Sequence, residues 1–130
     1  MILLDVPYHR QQLETSCFPA AVKMVLEFFG SDVDEHLLWR KGQILGHKGT
    51  WDAKLAPYVI QKGFHFESYW SGSVERSKLP PGVKKAYLKA TKGARKAGWR
   101  YAGKGTTTLI KRYLLKGIPG NCTKYGSMRF

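Results

Sequence analysis

Gln11-Gln-Leu-Glu-Thr-Ser-Cys17-Phe-Pro-Ala-Ala-Val-Lys-Met-Val-Leu-Glu-Phe-Phe-Gly30 sets a thiol at the start of an apolar helix, six residues after an amide side chain. The hydroxyl of Ser16 or Thr15 can accept one of the unpaired first-turn N–H groups. Pro19 falls in the first turn, where a missing donor is tolerated. Ala21, Val22, Val25, Leu26, Phe28 and Phe29 then recur at three-to-four-residue spacing, which predicts a buried helix face, and Gly30 supplies the stop. At such a helix start the dipole favours thiolate over thiol. A lone cysteine is more often inert packing than a nucleophile. Gln11 changes the balance, because a thiolate attacking a carbonyl creates an oxyanion that needs two aimed donors. The Cys17 backbone N–H and the Gln11 amide are candidates for that pair.

Three segments then resemble a known family. They are Val6-Pro-Tyr-His-Arg-Gln11, Ser16-Cys17-Phe-Pro-Ala-Ala and Met24-Val-Leu-Glu-Phe-Phe-Gly30. Together they look like the start of the bacteriocin-processing (double-glycine leader) cysteine peptidases, a papain-like family. Gly49-Thr50 through Gly63-Phe64, and Leu114-Leu-Lys-Gly117-Ile-Pro119, resemble later family segments. The resemblance implies Cys17 as nucleophile and Gln11 as the oxyanion-hole residue. It also implies a papain-like α+β fold, with a helical N-terminal lobe and an incomplete antiparallel sheet. Two residues depart from the pattern near the thiol: Ser16 stands where the family often has Asp, and Phe18 where it has Gly. A third departure is larger. After Pro119 the chain reads Gly120-Asn-Cys-Thr-Lys-Tyr-Gly-Ser-Met-Arg-Phe130, where the family places its catalytic His and the acid or amide that orients it.

Composition bounds the rest. With 130 residues, 43% apolar and 13% aromatic, a single folded domain over 1–130 is expected. Within it, 1–70 is the peptidase-like part, and 71–130 is a basic helical segment with a truncated sheet. No apolar run is long enough to span a membrane, and Met1-Ile-Leu-Leu-Asp5 lacks the features of a signal peptide. Two cysteines, Cys17 and Cys122, leave room for a single bridge but build neither a disulfide framework nor a four-thiolate metal site; no cofactor or metal is expected, and a reducing cytoplasm is the default. Charge is lopsided. All nine acids lie at or before Glu75, while fifteen of the twenty-two Lys and Arg follow it, for a net +13. Such a half can meet phosphates, an anionic surface or an acidic protein, or simply be a solvated face.

Along the chain, Ile2–Val6 reads as a short opening strand, followed by the Cys17 helix and a second helix to about Lys41. A third helical segment runs from Thr50 to about Lys62, with Pro57 kinking or restarting it. Phe64–Trp70 alternates like a strand, Ser71–Ser73 is a turn, and Val83 to about Lys96 is a lysine-rich helix. Trp99–Tyr101 reads as a strand and Leu109–Lys116 as a last helix. Gly103-Lys-Gly-Thr106 is a weak fragment of a phosphate-cradling loop.

A cysteine nucleophile needs a base within hydrogen-bond reach. His9 and His36 read as surface residues, whereas His47 and His65 are placed where either can approach Cys17. Three functions compete on these grounds. The first is a cysteine peptidase (hydrolase) that keeps Cys17 and Gln11 but lacks its His-bearing half and is inactive alone. The second is a non-catalytic peptide-binding module, and the third a basic nucleic-acid or anionic-surface binder. An open sheet edge at Gly117–Pro119 would invite a homodimer.

Overall fold

The computed structural model describes residues 4–46, 49–70, 79–101, 106–117, 120–123 and 126–129. Helices dominate them: α1 (Cys17–Phe28), α2 (Glu35–Lys41), α3 (Asp52–Gln61), α4 (Pro81–Ala97) and α5 (Thr107–Leu115). The strands are brief: β1 (Glu67–Trp70), β2 (Arg100–Tyr101), β3 (Gly120–Thr123) and β4 (Gly126–Arg129). They line up in the order β2-β1-β4-β3. β1 pairs parallel with β2, Glu67 opposite Arg100, and antiparallel with β4, Glu67 opposite Arg129.

The α+β papain-like expectation, a helical lobe backed by an incomplete antiparallel sheet, is overturned. Helices of seven to seventeen residues outweigh strands of two to four, and those strands mix parallel with antiparallel pairing. The reason lies in how the extended segments end. Leu4–Val6 joins no strand, and Pro7 brings no N–H to a ladder. Of the alternating run Phe64–Trp70, only Glu67 onward pairs. The turn read at Ser71–Ser73 and residues 118–119 of the expected open edge lie outside the described residues.

The helices form for local reasons. α2 begins at Asp34, whose carboxylate accepts from the Leu37 N–H at 3.1 Å, and α5 at Thr106, whose hydroxyl accepts from Leu109 N–H at 3.2 Å. Pro57 lies inside α3 without ending it. α4 closes at Gly98, whose φ of +111° a side chain would resist. One buried cluster runs from Phe18, Val22 and Leu26 of α1 through Leu38 and Leu55 to Phe66, Tyr87 and Trp99. Phe18 points into this core.

Polar bonds tie the strands to the helices. Trp99 Nε1 donates to Ser68 Oγ at 3.0 Å, and that hydroxyl donates to Asp52 Oδ2 at 2.8 Å, joining β1 to the start of α3. On the alternate face of β1, Tyr69 Oη donates to Glu67 Oε2 at 2.7 Å and lies 3.0 Å from Tyr113 Oη of α5. Burial, then the hydrogen bonds to Tyr113 and Glu67, raises the Tyr69 phenol above its ordinary range. A phenol that holds its proton more tightly when folded contributes stability that is full below about pH 10 and is lost as pH climbs toward the folded value. Urea unfolding of the wild type should therefore weaken above about pH 10 more steeply than that of Tyr69→Phe. Parallel slopes for the two proteins would refute the assignment.

Candidate functional site

The 11–16 loop that delivers Cys17 is pinned from below. Glu35, at the first position of α2, is almost completely buried, and its Oε1 accepts from Gln12 N–H at 2.8 Å and from Ser16 Oγ at 2.5 Å. Trp39, one turn further along α2, donates its Nε1–H to Thr15 Oγ1 at 3.1 Å. Leu13 N–H closes the turn on Ser16 Oγ at 3.0 Å. Ser16 is thus the N-cap residue of α1 by position, but its hydroxyl serves Glu35 and the loop and makes no cap bond. The Cys17 thiol emerges free and exposed.

It opens on a cleft of about 610 Å³ between residues 8–14 and one face of α1. Cys17, Ala20 and Met24 form the helix side of that cleft; Gln11, Arg10 and Glu14 face them. Their spacing of three and four residues is one helical stripe. Phe18, which stands where the family has Gly, is buried in the core and is absent from this lining, so its ring does not obstruct the cleft.

The two residues named for catalysis, Cys17 and Gln11, do share this cleft. Their chemistry is not assembled. The Gln11 Nε2 group donates to the carbonyls of Leu13 at 2.9 Å and Glu14 at 3.1 Å, which engages both of its hydrogens. Neither N–H is left for an oxyanion in this conformation.

The histidines fall differently from their sequence reading. His47 lies outside the described residues. His65 precedes β1 and is half-exposed, its Nε2 2.8 Å from the buried Glu67 carboxylate. His65 is not in the lining of the Cys17 cleft; its neighbour Phe64 packs on Phe29, just past the far end of α1, with ring centroids 5.9 Å apart. His36 is on α2, away from the cleft. His9, read as a plain surface residue, is the one described histidine that lines the cleft. Its Nε2 bonds to Oε2 of Glu27, on the same α1 stripe as Met24. Glu27 is ten residues beyond Cys17, about 15 Å along the helix axis at the usual rise. His9 is thus a wall of the cleft's far end, not a base for the thiol. The sequence held one cue to this pairing, an acid at the α1 position that continues the Cys17–Ala20–Met24 spacing.

Electrostatics elsewhere in this region are local. Lys23 Nζ donates to Asp32 at 2.9 Å and to the Val33 carbonyl at 2.9 Å; the hydrogen bond and then the charge of Lys23 hold the Asp32 carboxyl below its usual range. Among the described residues no three His, Cys, Asp or Glu side chains gather as a metal site, and no helix is long and apolar enough to cross a membrane. Comparison with protein-family models, with curated proteins and with solved structures gives no match.

Proposed function

We propose that the chain is a non-hydrolytic peptide-binding module whose binding surface is the Cys17 cleft. The observation that carries this reading is the engagement of both Gln11 N–H groups by backbone carbonyls, in a cleft whose one described histidine is held by Glu27. An exposed thiol without a base or an aimed second donor is a poor acyl-transfer centre. The same cleft is well made to hold an extended segment. It has an apolar floor in Ala20 and Met24, with charged and amide side chains along its rim. Arg10 in the lining offers an acidic segment a charged partner. The resemblance of residues 6–30 to the double-glycine leader peptidases supports peptide as the ligand class.

The test uses the thiol as a reporter. Alkylation of Cys17 by iodoacetamide in the full chain is followed with and without a panel of short acidic and neutral peptides. Cys17→Ser serves as the control for labelling elsewhere. Protection by acidic peptides, with no peptide cleavage above the Cys17→Ser level, is the expected result. Cysteine-dependent cleavage would restore the peptidase reading; absence of protection by every peptide would remove the binding one.

A further inference from the structure

α4 carries six cations, Lys84, Lys85, Lys89, Lys92, Arg95 and Lys96, and no acid. All six are exposed. At 100° per residue they fall within roughly 140° of arc, opposite the face that buries Val83, Tyr87 and Ala94. From Lys84 to Arg95 and Lys96 they extend about 18 Å along the axis. Among the described residues no carboxylate pairs with any of them. Arg95 and Lys96 have a reason within the fold, since cations in a last turn meet the negative end of the helix dipole. The other four do not. Lys84 and Lys85 sit at the unfavourable end, and Lys85/Lys89 and Lys92/Lys96 are like-charge pairs at four-residue spacing, each weakening an isolated helix by a few tenths of a kcal/mol.

We propose that this face of α4 binds the phosphates of duplex DNA without regard to sequence. Three observations select that partner. The apolar face of α4 is packed against α3 and the core, so the helix has no apolar surface to sink into a bilayer. The one large apolar side chain exposed on α4 is Leu88, and no exposed aromatic stands on the helix to stack an unpaired base. A helix about 10–12 Å across fits the B-form major groove of about 12 Å, whereas the A-form major groove is too narrow for it. Charge complementarity does the rest, as each phosphate neutralised releases a condensed counterion. This surface is separate from the Cys17 cleft and does not depend on it.

The experiment is fluorescence anisotropy of a labelled duplex DNA with the full chain, titrated at several salt concentrations between about 50 and 200 mM. Six contacts set an upper slope of log K against log[salt] of roughly −5, and a slope of roughly −3 to −5 is expected. Lys85→Ala/Lys89→Ala/Lys92→Ala should make it shallower by roughly 2 to 3. Arg40→Ala/Lys41→Ala/Lys54→Ala removes the same charge from α2 and α3, and should leave the slope within about 1 of the wild type. Thermal melts establish that both triple variants are folded. Equal losses in the two variants would overturn the proposal, since net charge alone would then explain binding. A wild-type slope shallower than about −1, or equal or tighter binding of duplex RNA, single strands or anionic vesicles, would overturn it too.

Discussion

Glu35→Ala is expected to destabilise the fold by about 2–4 kcal/mol, because it removes the shared acceptor of the loop that carries Cys17. Oε1 of that carboxylate takes the Ser16 hydroxyl and the Gln12 N–H; when it goes, the hydroxyl keeps the Leu13 carbonyl at 2.9 Å while the Gln12 N–H loses its acceptor. Hydrogen bonds to a charged acceptor contribute more than neutral ones, and a buried group deprived of its partner adds its own desolvation cost. Glu35→Gln keeps one carbonyl oxygen for the same two donors and should lose less, about 1–2 kcal/mol. Its new NH₂ then lies where Glu35 Oε2 is buried without a hydrogen-bond partner among the described residues, so the change is not neutral. Denaturant midpoints give the stability, and amide exchange at Gln12 gives the mechanism. A loss below about 0.5 kcal/mol for Glu35→Ala, with Gln12 exchange unaltered, would show that the loop stands without this carboxylate.

Phe66→Ala should be costlier still, at about 3–5 kcal/mol. The ring is completely buried in the cluster that holds Leu26, Leu55 and Val59, directly before β1. Its truncation combines lost burial with a cavity that a close-packed interior fills only in part. The Phe66 carbonyl also lies 3.4 Å from the Arg100 N–H, so a shift here is transmitted to the β1–β2 pairing. For a domain of ordinary stability that is a large fraction of the total. Phe66→Leu, which keeps most of the volume, should cost less than about 1.5 kcal/mol. Equilibrium unfolding by circular dichroism distinguishes the two, and a loss under about 1 kcal/mol for the alanine variant would mean the ring is not packed as described.

Much of the helical content was legible because it is written locally. The apolar spacing from Ala21 to Phe29 and the stop at Gly30 each act within a turn or two of themselves. α1, α2 and α4 accordingly fall within a few residues of their sequence reading. What escaped is written across distance. Glu35 was not singled out in the sequence, and only the docking of α2 beneath residues 12–16 makes it a buried anchor. His9 meets Glu27 through the path of residues 8–14 along α1, which no periodicity reports. Gln11 and Cys17 were paired as an oxyanion-hole candidate by their chemistry and by the family resemblance, but the direction of the Gln11 amide depends on two carbonyls just downstream of it. The mixed strand pairing is also non-local: Phe64–Trp70 and Trp99–Tyr101 read as strands, but nothing near either one names its partner or the direction of pairing.

The strand order β2-β1-β4-β3 sets when the chain can close. Glu67 must find Arg100 across the whole of α4, and Arg129 across almost half the protein, before either pairing returns any free energy. Helices need only their own neighbours. The helices are therefore expected to form ahead of the sheet, with β1 as the strand on which the two distant ends converge.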